Sequence, residues 1–313
     1  MAPAANGVPV KTKWILLFLI TAAAVAAIFL RNPGSQSSKL GEDAHAVTME
    51  ILAQGPRPPG SEGLDKVRAL LKDKLENAGW AVTFQEFERD TSIGKIKFSN
   101  LRARFKTGKE DPWERQVRGI LCAHIDSKYF KDKEFLAADD AASACAAIVV
   151  MAKNLAEEKP QQAADLELVL FDGEEAFAFN MTILDGLYGS RFYANSWRAR
   201  DDKPKFGILL DMVGHKDLKI RIPSDSPEKL SSLMFSAAEK NGVSKHFGTA
   251  AGSIMDDHVP LNLVGIPTLD IIGDFPSTRW WHTPGDNASI ISTESLGITI
   301  GVVEKMLDEL LKE

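Results

Sequence analysis

The order of apolar and polar positions divides the chain into an apolar amino-terminal stretch, a short polar segment and a long region of alternating periods. Trp14–Leu30 is a run of 17 apolar or small residues broken only by Thr21. At about 1.5 Å per residue a helix over this run reaches roughly 25 Å, near the shortest length that spans a bilayer. Asn32–Gly41, rich in Ser, Gly and Pro, reads as a tether. Beyond it, residues 42–53 and 62–78 carry helical spacing, separated by the rigid turn Gly55-Pro-Arg-Pro-Pro-Gly60. Trp80–Phe87, Phe98–Phe105 and Val117–Ala123 read as strands, and Ala-rich Asp140–Leu155 as a helix. Leu166–Phe171 reads as an apolar strand bounded by acids. Phe206–Met212 and Pro267–Ile272 read as two more central strands, with helices near 226–241 and 293–312. Strands alternating with helices over the whole length predict an α/β fold, a three-layer sandwich around a mixed, mostly parallel central sheet. With no internal repeat and no second linker, residues 42–313 form one domain in this reading. It follows a cytoplasmic segment 1–13, a transmembrane signal anchor 14–30 and a linker 31–41.

Lys11 and Lys13 before the apolar run favour an N-in orientation, which puts the domain outside the cytoplasm, in the periplasm or a secretory lumen. Ala24-Val25-Ala26 has the form of a cleavage site, so a secreted product stays open. Continuation of the run through Ile28-Phe29-Leu30 favours an uncleaved, single-pass membrane anchor. Across the chain, hydrophobic residues make up 44% and charged residues 26%, which excludes a disordered chain and a multi-span membrane protein. The net charge of −6 argues against the basic face that a nucleic-acid partner requires. Two cysteines are too few for a disulfide scaffold or a Cys-rich zinc module. Any metal must therefore be held by Asp, Glu and His. Cys122, near a strand end, and Cys145, in the next helix, could be joined or could be two buried free thiols. A monomer is expected.

Ligands of open α/β sheets gather beyond the carboxyl ends of the strands, and the polar clusters fall there. Val117–Ala123 runs into His124-Ile-Asp126, Leu166–Phe171 into Asp172-Gly-Glu174-Glu175, and Phe206–Leu210 into Asp211. The strand at 267–272 is followed by Trp280-Trp281-His282. Singly, each has a structural explanation: Asp139 and Asp140 as helix caps, Asp211 as a turn residue, His282 as a core histidine. Their conjunction at four strand ends and one helix start points instead to a metal. Zinc takes His nitrogen and carboxylate oxygen in a tetrahedral set and keeps one position open when it is catalytic. In the adjacent pair Glu174-Glu175, one carboxylate can bind metal while its neighbour moves protons.

His124-Ile-Asp-Ser-Lys-Tyr-Phe130, Phe171-Asp-Gly-Glu-Glu-Ala-Phe177, Leu187-Tyr-Gly-Ser-Arg191, Asp256-Asp-His-Val-Pro260 and Trp281-His-Thr283 follow one another in this order. With Gly55-Pro-Arg-Pro-Pro-Gly-Ser61, they resemble the M28 metallopeptidase-like family and, within it, the glutaminyl-peptide cyclotransferases, over roughly residues 45–312. The resemblance implies an M28 aminopeptidase-like fold and one zinc ion held by Asp140, Glu175 and His282. It implies Glu174 as general acid/base, Asp211 and Asp256 as a hydrogen-bonded acidic network behind it, and Trp281 beside the substrate. The implied reaction cyclises an N-terminal glutamine of a peptide or protein to pyroglutamate and releases ammonia. It sets Asn180 where the family's pocket tryptophan stands, Met255 at a glutamine of the animal members and Asp270 at a pocket histidine.

The same residues also suit a two-zinc M28 aminopeptidase. There His124, Asp140 and Asp211 hold one ion, and Asp140, Glu175 and His282 the other, while Glu174 activates water. Ser127-Lys-Tyr-Phe130, the Glu-Glu-Ala-Phe string and Asp256-Asp-His258 favour the cyclase. A metal-free binding domain is the third reading, since fold alone does not dictate function.

Overall fold

The computed structural model describes residues 33–108, 110–182 and 184–312. The expected cytoplasmic segment, the anchor Trp14–Leu30 and the Ala24-Val25-Ala26 site lie outside these residues. Among the described residues no helix is long and apolar enough to cross a membrane.

Six strands form the central sheet: β1 (Trp80–Thr91), β2 (Gly94–Phe105), β3 (Gly119–His124), β4 (Leu166–Phe171), β5 (Phe206–Asp211) and β8 (Thr268–Ile272). Their order is β1-β2-β4-β3-β5-β8. β1 and β2 make an antiparallel hairpin, β2 lies antiparallel to β4, and β4, β3, β5 and β8 are mutually parallel. The sheet is mixed and mostly parallel, as the patterning predicts. A separate parallel pair, β6 (Ile220–Ile222) and β7 (Phe247–Thr249), stands beside it.

Alternation along the central strands makes two apolar faces. Leu121, Leu168, Leu170, Ile208, Leu210, Leu269 and Ile271 point into the larger core. That face is covered by α1 (Pro33–Leu52), α2 (Glu62–Asn77), α3 (Ala144–Glu158), α6 (Glu228–Lys240) and α8 (Thr293–Leu310). Ile120, Cys122, Val169, Phe171 and Leu209 point the other way, against α5 (Tyr188–Trp197) and α7 (His258–Leu263). Helices on both faces complete the three layers. Cys122 and Cys145 fall in the two different cores and are both free thiols, because successive strand residues face opposite sides.

Three local differences from the sequence reading have physical causes. The tether expected over Asn32–Gly41 is helical from Pro33 on. Its small residues serve close packing: a Cβ on Gly41 would lie 2.1 Å from the Thr293 carbonyl oxygen, and one on Gly297 would lie 2.5 Å from that of Ser37. Ser37 Oγ donates to Gly297 O at 2.7 Å across the same crossing. The helix expected from Asp140 starts at Ala144, preceded by a π-helical turn, Ala138–Ser143, in which Asp140 and Ala141 leave helical dihedrals. Asp139 does not cap it; Asp139 Oδ1 accepts from the Gly214 amide at 2.6 Å. β4 is not wholly apolar either. Glu167 is buried within it and accepts from Arg102 and Arg104, each at 2.7 Å, and from the Tyr193 hydroxyl at 3.1 Å. Three donors to one carboxylate make that burial tolerable.

The glycine crossing predicts the sign of a helix substitution. Alanine is intrinsically better in a helix by about 1 kcal/mol, but forcing a methyl into a closed contact costs about 1–3 kcal/mol. Gly41→Ala is therefore expected to lower the thermal midpoint by a few degrees in calorimetry; an unchanged or raised midpoint would refute the close packing.

Candidate metal centre and active-site cavity

The carboxyl ends of the parallel strands share one edge of the sheet, and three of them deliver polar side chains there. β3 ends on His124, with Asp126 two residues on; β4 turns through Asp172-Gly173-Glu174-Glu175; β5 ends on Asp211. Gly173 has φ +73°, and a Cβ there would come within 2.4 Å of the Phe98 ring, so the turn that raises the Glu-Glu pair needs glycine. Asp140 comes from the π-helical turn and His282 from the loop after β8.

Asp140, Glu175 and His282 converge, with one donor atom from each lying within 4.8 Å of the others. His282 Nε2 is 3.1 Å from Glu175 Oε1 and 3.4 Å from Asp140 Oδ2. Tetrahedral zinc with bonds of about 2.0–2.2 Å separates neighbouring donors by about 3.3–3.6 Å, so this set of one imidazole and two carboxylates fits such an ion. His124, Asp140 and Asp211 make a second group of the same kind. His124 Nε2 is 3.2 Å from Asp140 Oδ1 and 3.3 Å from Asp211 Oδ1. Asp140 thus turns one oxygen to each histidine.

The ligand-bearing turns are held by residues to which the sequence reading gave no role. Asp126 accepts from the amides of Glu174 and Glu175 at 3.1 and 3.3 Å. Asp286 accepts from the amides of Asp139 and Asp140 at 2.7 and 3.2 Å. Lys128 donates to Glu175 Oε2 at 3.3 Å and to the Ala176 carbonyl at 2.9 Å. The buried Arg57 of the Pro-Arg-Pro turn donates to the carbonyls of Ile125 and Ala137 at 3.0 and 2.7 Å, tying both segments together. His282 adopts φ +54°, its ring stacked on Trp281 at 3.9 Å between centroids and met edge-on by Phe130 and Phe135. A non-glycine residue in the left-handed region is strained, and such strain collects at functional sites.

A cavity of about 640 Å³ opens over this edge, lined by Asp140, Glu174, Glu175, Asp211, Asp256 and Trp281 among others. These six reach it, whereas Asp270, which the resemblance sets at a pocket position, is fully buried and does not line it. The acidic network behind Glu174 takes a different form from the one expected: Asp211 contacts His124, while Asp256 groups with Asp270 and His258 within 4.8 Å. Burial pushes Glu174 well above the usual carboxylate range; His124 opposes this, and the charges of Glu175, Asp256 and Asp257 add to it. Burial likewise raises Asp211 to about 8 and Asp286 to about 7. Against burial, the Asp140 and Glu175 carboxylates lift His282 to about 9, and the two histidines hold Asp140 well below the usual range.

Two expectations follow. His282, with its pKa at about 9, carries a proton at pH 7 that an entering divalent cation must displace. Calorimetric titration of the metal-free protein in buffers of different ionisation heat should report release of at least about one proton per ion, with affinity rising from pH 7 towards pH 9; buffer-independent heats would exclude it. Asp286→Ala frees the Asp140 amide and should weaken zinc binding about 10- to 100-fold in competition with a chelator. Unchanged affinity would show that Asp286 does not position the site.

A family model described as peptidase family M28 matches residues 100–306. A glutaminyl-peptide cyclotransferase of Drosophila melanogaster is 32% identical over 275 residues, covering 78% of this chain and 75% of that protein. The crystal structure of an Acidobacteriales bacterium glutaminyl cyclase superimposes with a TM-score of 0.76 at 29% identity, covering 86% of this chain and 94% of that one. A Zn-dependent exopeptidase from Parabacteroides distasonis gives 0.76 at 26% identity, covering 87% and 98%. The match of the family model over residues 100–306, about two thirds of the sequence, means that the chain belongs to peptidase family M28.

Proposed function

We propose that this protein is a glutaminyl-peptide cyclotransferase that converts the N-terminal glutamine of peptides or proteins to pyroglutamate and releases ammonia. The observation that carries this reading is the convergence of Asp140, Glu175 and His282 beside a buried Glu174, in a chain whose similar proteins include named cyclases. One zinc ion per chain, held by that triad, is the proposed cofactor. Zinc bound there supplies Lewis acidity toward the γ-carbonyl oxygen of the substrate and positive charge that draws the Glu174 pKa back down.

The rest of the chemistry belongs to the chain. The acidic wall formed by Glu174, Asp211 and Asp256 receives the substrate α-amine. Glu174 accepts a proton from that amine as its nitrogen attacks the γ-amide carbon. As the C–N bond of the amide breaks, Glu174 returns a proton to the departing nitrogen, which leaves as ammonia. One N–C bond forms, one breaks, and no water is consumed. The Trp281 ring, stacked on His282, walls the glutamine stem. The amino-terminal run Trp14–Leu30 is proposed as a membrane anchor that places the domain outside the cytoplasm, with the protein acting as a monomer on peptide N-termini.

One observation favours a second reading, a two-zinc aminopeptidase hydrolysing N-terminal residues: the His124–Asp140–Asp211 group has donor spacings as suitable as those of the first. Zinc-loaded protein on Gln-initiated and Leu-initiated peptides separates the two. Ammonia release from the former with little hydrolysis of the latter is expected; efficient leucine release with two ions per chain would reverse the reading. Glu174→Gln should cut turnover by at least about 100-fold while zinc stoichiometry is unchanged. Retention of wild-type turnover would remove Glu174 from its role.

A further inference from the structure

We infer that Arg221, on the wall of the active-site cavity, selects substrates bearing a carboxylate within a residue or two of the N-terminal glutamine. This deepens the cyclase reading and rests on it. Besides His282 of the candidate metal triad, two cationic side chains, Lys128 and Arg221, line the cavity that holds Glu174. Lys128 is consumed: it is buried and bound to Glu175 and to the Ala176 carbonyl. Arg221 is half-buried at the centre of β6, and its only hydrogen bond among the described residues runs from Nη1 to the Ile220 carbonyl at 2.7 Å. Other arginines that structure this fold have their donors engaged: Arg68 with Asp172, Arg102 and Arg104 with Glu167, Arg118 with Asp165, and Arg57 and Arg115 with backbone carbonyls. Asp274, on the same cavity wall, makes no ion pair with Arg221 among the described residues.

The seat of this arginine is built. Arg221 pairs with Gly248 across the β6–β7 ladder. A Cβ on Gly248 would stand 3.1 Å from Arg221 Nη1 and 3.4 Å from Cζ, so the guanidinium lies across the bare backbone of β7. From there it lines the cavity beside the 249–254 loop. A planar guanidinium with open N–H donors matches a carboxylate in a fork-to-fork geometry that no neutral group reproduces. The cavity is therefore divided by charge, with acids where the substrate amine enters and a cation on the β6 wall where its continuation passes. The carboxylate can belong to an acidic side chain or to the free C-terminus of a very short peptide.

The test compares zinc-loaded protein on Gln-Glu-Ala-amide and Gln-Gln-Ala-amide, and on Gln-Ala with a free and an amidated C-terminus. Wild type should favour the carboxylate member of at least one pair about tenfold in kcat/KM, carried by KM, and about 0.5 M salt should erode the preference. The pair that responds identifies the source of the carboxylate. In Arg221→Gln the ratio should fall to about one, and Arg221→Lys should restore only part of it. Equal kcat/KM within both pairs for wild type, or a ratio that survives Arg221→Gln, overturns the assignment. Calorimetric binding of the same peptides to zinc-loaded Glu174→Gln reads the ratio without turnover. Absence of ammonia release from every substrate would defeat the cyclase reading, while a lost binding preference defeats the role of Arg221.

Discussion

The site depends on two buried carboxylates that grip consecutive backbone amides. Asp126 holds the amides of Glu174 and Glu175, and Asp286 those of Asp139 and Asp140. Charges so deeply buried are costly unless each oxygen is met by a donor. Here the donors are N–H groups that an irregular turn would otherwise leave orphaned, so one contact satisfies both partners. The result is that two side chains proposed to hold zinc come from turns whose backbone is fixed independently of any ion. His282, the third, is fixed differently, by aromatic rings on several sides.

The sheet explains why those turns meet. Four parallel strands bring their carboxyl ends to one edge, and that is where ligands collect in open α/β sheets. The central strands were legible as apolar runs, because burial on both faces leaves few polar positions to confuse the period. Of the candidate triad, Glu175 follows such a run and stands out; Asp140 reads as the start of a helix and His282 follows two tryptophans, and it was the resemblance to the M28 family that joined the three. The supporting residues were not legible. Asp126 lies within the His124-Ile-Asp126 string but shows no sign that it binds amides 48 and 49 positions away. Asp286 sits in Pro-Gly-Asp-Asn, which reads locally as nothing more than a turn. The short elements α5, α7, β6 and β7 were also missed, since their stability comes from packing rather than propensity. Tyr193 and Trp197 of α5, for example, hold it to the smaller core. The Ser- and Gly-rich start of α1 misled for a related reason: small residues permit both flexible coil and tight helix crossing, and only the partner helix decides between them.

The electrostatics of the cavity are lopsided. Glu174, Asp211 and Asp256 line one side with Asp257 and Asp270 buried behind them, and burial raises Glu174, Asp211, Asp257 and Asp270 above the ordinary carboxylate range. So many acids in a small volume exist there only partly ionised, or with cations to answer them. In the proposed mechanism the metal is such a cation and the substrate amine offers N–H donors to the remaining carboxylates, which gives the crowding a purpose that fold stability alone would not supply.

Asp140 carries a consequence of its own. Its two oxygens face different histidines, so it belongs to both donor groups at once, whereas His124 and His282 each belong to one. Loss of this aspartate would disable both halves together, while a change at either imidazole would silence a single half. Structures similar to this chain include both a Zn-dependent exopeptidase and glutaminyl cyclases, and a residue shared by two donor groups lets one group change at its own histidine while the other keeps its set. Only the outer partner need drift while the shared hinge of the pair stays where it is.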